Sequence, residues 1–223
     1  MPMLTGAVDW VRKGSYHTAW AVPCGSSCSC SCACGRGPAV GPHAGERCWP
    51  QLAGVWRAIA PLMKPWCAEG EVPTAGNLNL YRGLHSRVGW HCDDEPLFGG
   101  AGCSKLIVSL SFGSTALFKW KGKSRLDGDV SSCYLGHGDI LVMDGQCQDE
   151  FLHCTDPGLE QERINVTFRW IRQHTTSCPL RAGVVCCLPT CAQGFSAPVM
   201  GNGVLAPLGF CGSSLGSCVY GRC

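Results

Sequence analysis

"RINVTFRWIR", residues 163–172, is the stretch that decides how this chain is built. On a strand, successive side chains point to opposite faces. Ile164, Val166, Phe168 and Trp170 then share one face, and Arg163, Asn165, Thr167 and Arg169 share the other. The first set reads as a core face. The second gathers two guanidiniums, an amide and a hydroxyl. Two arrangements accommodate it: an ordinary polar face in water, or the inner wall of a closed β structure. An inner wall of this composition would demand an anion, because arginine pairs bidentately with carboxylates and cannot shed its charge. Two such residues on one wall suit a dicarboxylate.

Working outward, further strand signals precede it. "NLNLYR" (77–82) alternates, and "KLIVSLSFG" (105–113) sets Val108, Leu110 and Phe112 on one face. "TALFKWKGK" (115–123) follows Gly113-Ser114, which reads as a hairpin turn. "GDILVMDG" (138–145) and "EFLHC" (150–154) complete the set. Upstream, "QLAGVWRAIAPLMKPW" places Leu52, Val55, Trp56, Ile59 and Leu62 at helical spacing, and Pro65 stops the helix. Many short strands with Gly- and Asp-rich turns and one helix predict a mainly β fold with a supporting helix, a β-sandwich or jelly roll.

The regular patterning occupies residues 51–177 of 223. Residues 1–50, with the Cys/Ser/Gly/Pro tract 24–45, and residues 178–223, rich in Gly, Pro and Cys, are expected to be irregular. The hydrophobic fraction of 45%, the charged fraction of 15% and the net charge of +2 describe a globular chain with no bulk attraction to polyanions, so such a partner needs a local patch. Nineteen cysteines, an odd number, with no secretory signal, argue against a closed disulfide framework. With no apolar run of membrane-spanning length, the expectation is an intracellular protein, of nucleus or cytoplasm, acting as a monomer away from membranes.

"VGWHCDDEPLFGG" (88–100) crowds one histidine and three carboxylates into five positions. His91 and Asp93, two apart, project to one side of a strand or its frayed end and can share a cation. One further histidine would complete a 2-His-1-carboxylate triad, which leaves positions open on ferrous iron. His17 and His43 lie in irregular sequence, His137 sits in a turn where capping fits, and His174 ends the last strand. His153, on a predicted strand ten residues before Arg163, is the best placed on position. H-x-D alone is a weak signal; H-x-D, a distal strand histidine and then R-x-N-x-T-x-R together are far more specific.

These pieces, "NLNLYRG", "VGWHCDDE", "LIVSLSFG", "HGDILVMDG", "FLHC" and "RINVTFRWI", stand in the order and spacing of one family. The run from about Asn77 to Thr176 resembles the AlkB family of Fe(II)- and 2-oxoglutarate-dependent dioxygenases. The resemblance implies a double-stranded β-helix, a cupin-like jelly roll with the metal at one mouth. It implies His91, Asp93 and His153 as ligands of Fe(2+). It implies Arg163 and Arg169 on the carboxylates of 2-oxoglutarate, with Asn165, Asn79 and Tyr81 completing that pocket, and Glu95 on the substrate side. Asp94 has no such match, and Cys92 points away from its neighbours' side. The implied reaction consumes O2 and 2-oxoglutarate, demethylates an N-alkylated nucleobase in DNA or RNA, and releases succinate, CO2 and formaldehyde. The base must be flipped from a duplex or met in a single strand.

A nucleic-acid substrate needs cationic contacts. "FKWKGKSR" (118–125) offers Lys119, Lys121 and Lys123, which alternation puts on one face, with Arg125 beside them. The same lysines fit a charged strand that discourages edge-to-edge pairing. Where the family supplies an aromatic lid over the base, this chain has Tyr16, Trp20 and Trp49 around the Cys/Ser tract. Two other functions fit the fold: a dioxygenase acting on a protein or small molecule, and a non-catalytic jelly-roll binding module. An intact set of His91, Asp93, His153, Arg163 and Arg169 disfavours the module, which has no use for it.

Overall fold

A computed structural model describes residues 10–21, 49–95, 98–124, 129–156, 162–170 and 218–222. Strands β1 (Val11–Lys13) and β2 (Tyr16–Ala21) precede helix α1 (Trp49–Ile59), which tightens into a 3-10 turn over Ala60–Met63. There follow β3 (Ala75–Tyr81), β4 (Val88–His91), β5 (Ile107–Gly113), β6 (Ala116–Gly122), β7 (Ser131–Leu135) and β8 (Asp139–Met143). A one-turn helix α2 (Cys147–Glu150) leads into β9 (Phe151–Asp156), then come β10 (Arg163–Arg169) and β11 (Cys218–Arg222).

The strands form two antiparallel sheets. One has the order β1-β2-β3-β10-β5-β8-β11, the other β4-β9-β6-β7. The eight strands β3 to β10 thus divide four and four, as two interleaved Greek keys require, and the fold is the double-stranded β-helix expected from the sequence.

Strand β10 runs through the middle of the larger sheet, and all seven of its residues are buried. Its apolar face settles one half of the opening question. Ile164, Val166 and Phe168 pack with Leu78, Leu80, Val108, Leu110, Ile140 and Val142 against Leu52, Trp56, Ile59 and Met63 of the helical segment. Trp56 meets Phe168 and Trp170 edge-on, at 5.3 and 5.6 Å between ring centroids. With that face under the helix, the polar face must look into the space between the sheets. Elsewhere this space is apolar, filled by Ile107, Leu141 and Met143 of the larger sheet and Phe118, Trp120 and Leu135 of the smaller.

Four local expectations need correction. Gly113-Ser114 is not a hairpin: β5 and β6 lie in different sheets, and the chain turns a corner between them at Gly113, φ 90°. A glycine-containing turn looks the same in sequence whether it reverses a chain or carries it across a sandwich. Leu62 is exposed while Met63 is buried, because the 3-10 turn that begins at Ala60 changes the helical phase. Met63→Ala should therefore cost about 2–3 kcal/mol in urea unfolding, and Leu62→Lys less than about 0.5 kcal/mol. Strand β7 was not foreseen in the weakly patterned "SSCYL". Strands β1, β2 and β11 fall in the ends expected to be irregular: β2 pairs with β3, and β11 with β8. Backbone pairing to an existing sheet edge needs little sequence pattern of its own. The Cys/Ser tract 24–45 and residues 178–217 lie outside the described residues, as do His43, Arg125 and His174. Among the described residues, no helix is long and apolar enough to cross a membrane.

Candidate metal centre and carboxylate pocket

His91 ends β4, and His153 lies opposite it on β9 as its direct cross-strand partner. The pairing of β4 shifts register between Val88 and His91, an irregularity of the kind that re-aims a side chain. The two imidazoles lie 4.2 Å apart at their centroids. Two residues past His91, where β4 has ended, the Asp93 carboxylate reaches both rings. Its Oδ1 is 3.9 Å from His91 Nε2 and its Oδ2 is 3.7 Å from His153 Nε2. The three ligand atoms all fall within 4.8 Å of one another. Ligands about 2.0–2.2 Å from one ion can stand up to about 4.4 Å apart, so the Asp93–histidine distances suit a shared ion. Two imidazole nitrogens and one carboxylate form the donor set that suits Fe(II) with coordination positions left open.

Second contacts hold these groups in their working states. His91 Nδ1 donates to the Gly89 carbonyl at 2.8 Å, which leaves Nε2 as the lone-pair nitrogen. His153 is held down to about 4 by burial, against the pull of Asp93, so its ring is neutral near pH 7. Burial would raise the Asp93 carboxyl, but the Arg169 guanidinium and the two histidines more than offset it and keep it below the usual range. The Asp93 backbone N–H donates to Gln148 Oε1 at 2.8 Å, deep in the protein. Gln148, on α2, has no signature in the sequence; only the fold brings it to Asp93.

The polar face of β10 forms the adjoining wall. Arg163 stands opposite Tyr81 on β3, and Asn165 opposite Asn79. On the other flank, Ser111 and Ser109 of β5 stand opposite Asn165 and Thr167. Arg163 Nη2 donates to Ser111 Oγ at 2.9 Å, and the guanidinium lies 5.2 Å from the Tyr81 ring centroid. Its Nε and Nη1 are buried with no acceptor among the described residues, and Asn79 Oδ1 is buried without a donor. Asn165 Nδ2 donates to Ser109 Oγ at 2.7 Å, and Thr167 Oγ1 to Asn165 Oδ1 at 2.9 Å. The two serines alternate through an otherwise apolar strand, a period-2 signal that could have marked this wall in the sequence.

The two arginines part company. Arg163 presents orphaned donors to the interior, as a carboxylate pocket requires. Arg169 instead spans the acids of the loop after β4: Nη2 is 2.7 Å from Asp93 Oδ1 and Nη1 is 3.1 Å from Glu95 Oε2. Glu95 is thus tied to Arg169 at the rim of the centre, with its side chain 43% exposed. Lys119 and Lys121 share one face, as alternation requires, but it is the face of β6 turned away from the inter-sheet core, and Lys123 lies past the end of the strand, in the following turn. On that face Lys119 pairs with Asp156 and Lys121 lies 4.8 Å from the Trp90 ring centroid, whereas Lys123 Nζ donates to the Gln148 carbonyl at 2.8 Å. Trp90 is 39% exposed. His137 Nδ1 accepts the Gly113 N–H, a structural task apart from the triad.

The geometry agrees with what the chain resembles. A family profile described as the 2OG-Fe(II) oxygenase superfamily matches residues 37–169. The bovine protein named "Alpha-ketoglutarate-dependent dioxygenase alkB homolog 3" is 32% identical over 127 residues, which cover 52% of this chain and 43% of that protein. The Arabidopsis thaliana "DNA oxidative demethylase ALKBH2" is 33% identical over 117 residues, 42% of this chain and 36% of that one. The chain thus spans less than half the length of these relatives. The solved structure of OsALKBH1 aligns over 74% of this chain and 85% of that chain, with 16% identity and a TM-score of 0.46. With the profile spanning more than half its length, and with a triad and carboxylate wall that fit iron and a dicarboxylate, this chain belongs to the 2OG-Fe(II) oxygenase superfamily and is AlkB-like within it.

Proposed function

We propose that the protein is an Fe(II)- and 2-oxoglutarate-dependent dioxygenase that oxidatively demethylates N-alkylated nucleobases in DNA or RNA. The observation that carries this reading is the juxtaposition of two half-sites. The His91–Asp93–His153 triad and the buried, partly unpaired Arg163 line one inter-sheet space. When bound, iron with 2-oxoglutarate and O2 supplies the oxidation of an N-methyl group. The chain's own part is binding and order. Neutral His153 and ionised Asp93 are ready to ligate at neutral pH without releasing a proton. Gln148 and Gly89 hold Asp93 and His91 in place. Arg163, with Tyr81 and Asn79 beside it, receives the far carboxylate of the co-substrate, and the apolar packing between the sheets excludes water. Glu95, half in solvent at the rim and paired with Arg169, is the residue we assign to the base.

The nucleic-acid assignment is supported by the AlkB-type relatives and by the Trp90–Lys121 pair on the smaller sheet. We further propose a compartment that holds nucleic acid, nucleus or cytoplasm, and a monomeric enzyme. The test is succinate release from 2-oxoglutarate with iron, with and without N-methylated single- and double-stranded oligonucleotides. Stimulation by a methylated oligonucleotide is expected. Turnover indifferent to every oligonucleotide would point to a protein or small-molecule substrate. The lysine face makes a narrower prediction. Lys121→Ala should weaken oligonucleotide binding by about two- to fivefold and lower the salt-dependence slope by about one, with kcat nearly unchanged. An unchanged slope would confine Lys121 to its stack on Trp90.

A further inference from the structure

The β1–β2 hairpin lies in a segment the sequence leaves unpatterned, yet it is latched to the rest of the protein at its tip. Ser15 Oγ donates to the Arg87 carbonyl and accepts the Arg87 N–H, both at 3.1 Å. Ser86 Oγ, buried, donates to the Ser15 carbonyl at 2.7 Å and accepts the Arg82 N–H at 3.0 Å. The Ser15–Arg87 and Ser86–Ser15 contacts join residues more than seventy apart and fasten the hairpin to the turn between β3 and β4. Along β2, Thr18 Oγ1 donates to Asn77 Oδ1 at 2.9 Å.

The residue next to the latch is Tyr16. Its ring stacks on Tyr81, with centroids 5.7 Å apart and planes at 21°. Because β3 lies between β2 and β10, Tyr81 is flanked by Tyr16 on one side and by Arg163 on the other. Tyr81 is buried there. Burial drives its hydroxyl up to about 12, so it stays protonated and able to donate. A buried guanidinium with two orphaned donors needs its neighbours fixed before an anion arrives, or binding must include the cost of ordering them.

The geometry points to Tyr16 as a positioning residue for the co-substrate: held by the Ser15–Ser86 latch, it fixes Tyr81 against Arg163 and so sets affinity for the distal carboxylate of 2-oxoglutarate. This rests on the dioxygenase reading, and deepens it by bringing an N-terminal hairpin into the pocket. The contact is ring on ring, so the Tyr16 hydroxyl is dispensable and the aromatic face is not.

The test is calorimetric titration of the full chain, loaded with Mn(II) in place of iron, with two probes. One is 2-oxoglutarate; the other is 2-oxopentanoate, of the same length but without the distal carboxylate. Tyr16→Ala should weaken 2-oxoglutarate roughly five- to tenfold, the range an aromatic pair supports. Tyr16→Phe should bind like the parent, and 2-oxopentanoate should not distinguish the three proteins. Ser15→Ala, which loosens the latch but keeps the ring, should fall between parent and Tyr16→Ala. The inference is overturned if Tyr16→Ala binds 2-oxoglutarate within twofold of the parent, or loses both probes equally, which would make the hairpin merely structural. Arg163→Met separates the two levels: if it binds 2-oxoglutarate as the parent does, the carboxylate reading itself has failed, whatever Tyr16 does.

Discussion

His153→Ala is expected to lower 2-oxoglutarate turnover by at least about 100-fold. Loss of a group that merely orients a metal ligand commonly costs 10- to 100-fold, and loss of a ligand in a three-residue set should exceed that. The position leaves no substitute. His153 is the cross-strand partner of His91, 7% exposed, and Asp93 reaches both. Among the described residues no other histidine joins the cluster. Folding should survive: alanine removes a buried imidazole from beside Phe118 without breaking a strand pairing. Succinate formation and a thermal melt on the same sample check both halves. A variant that keeps more than a tenth of the parent's turnover would remove His153 from the metal set.

Arg163→Met should act in opposite directions on binding and on stability. The guanidinium is 3% exposed, and its Nε and Nη1 find no acceptor among the described residues. Without ligand, that is a buried charge only partly compensated by Ser111 and Tyr81, and burial lowers its proton affinity. Replacing it with an apolar chain of similar length should leave the ligand-free protein as stable or up to about 2 kcal/mol more stable. The same change should weaken 2-oxoglutarate at least about 30-fold, since removing one partner of a buried charge pair costs about 2–5 kcal/mol. Titration and denaturant unfolding of one variant supply both numbers. A destabilised protein with unchanged affinity would mean that Arg163 serves the fold alone.

The alternation in "RINVTFRWIR" carried most of what could be read ahead of the structure. It gave the two faces of β10 correctly, but not which surroundings each would have. The helix at Trp49–Ile59 decides that by covering Ile164, Val166 and Phe168, and no local pattern in β10 contains this. The same limit explains the lysines. Period 2 placed Lys119 and Lys121 together, but only the order of the smaller sheet shows that Trp120, between them, turns inward with His153. His153 was findable by its distance from Arg163 along the chain. Gln148 was not, because its contact with the Asp93 backbone exists only after the sheets have closed. The reach of Arg169 to Asp93 and Glu95 was not legible either, because it depends on where the chain runs after β4 ends. Gly113-Ser114 shows the other kind of failure: turn chemistry names the bend but not the sheet to which the chain returns.

The central claim is that His91, Asp93 and His153 form one divalent-metal site. Equilibrium dialysis of the full chain against Mn(II) tests it most directly, because Mn(II) prefers nitrogen and oxygen donors and so discriminates against the many cysteines. The account predicts one Mn(II) per chain, lost in His91→Ala, Asp93→Ala and His153→Ala alike and kept in His137→Ala, whose imidazole serves the Gly113 backbone. Retention of parental Mn(II) binding by any one of the first three would contradict it.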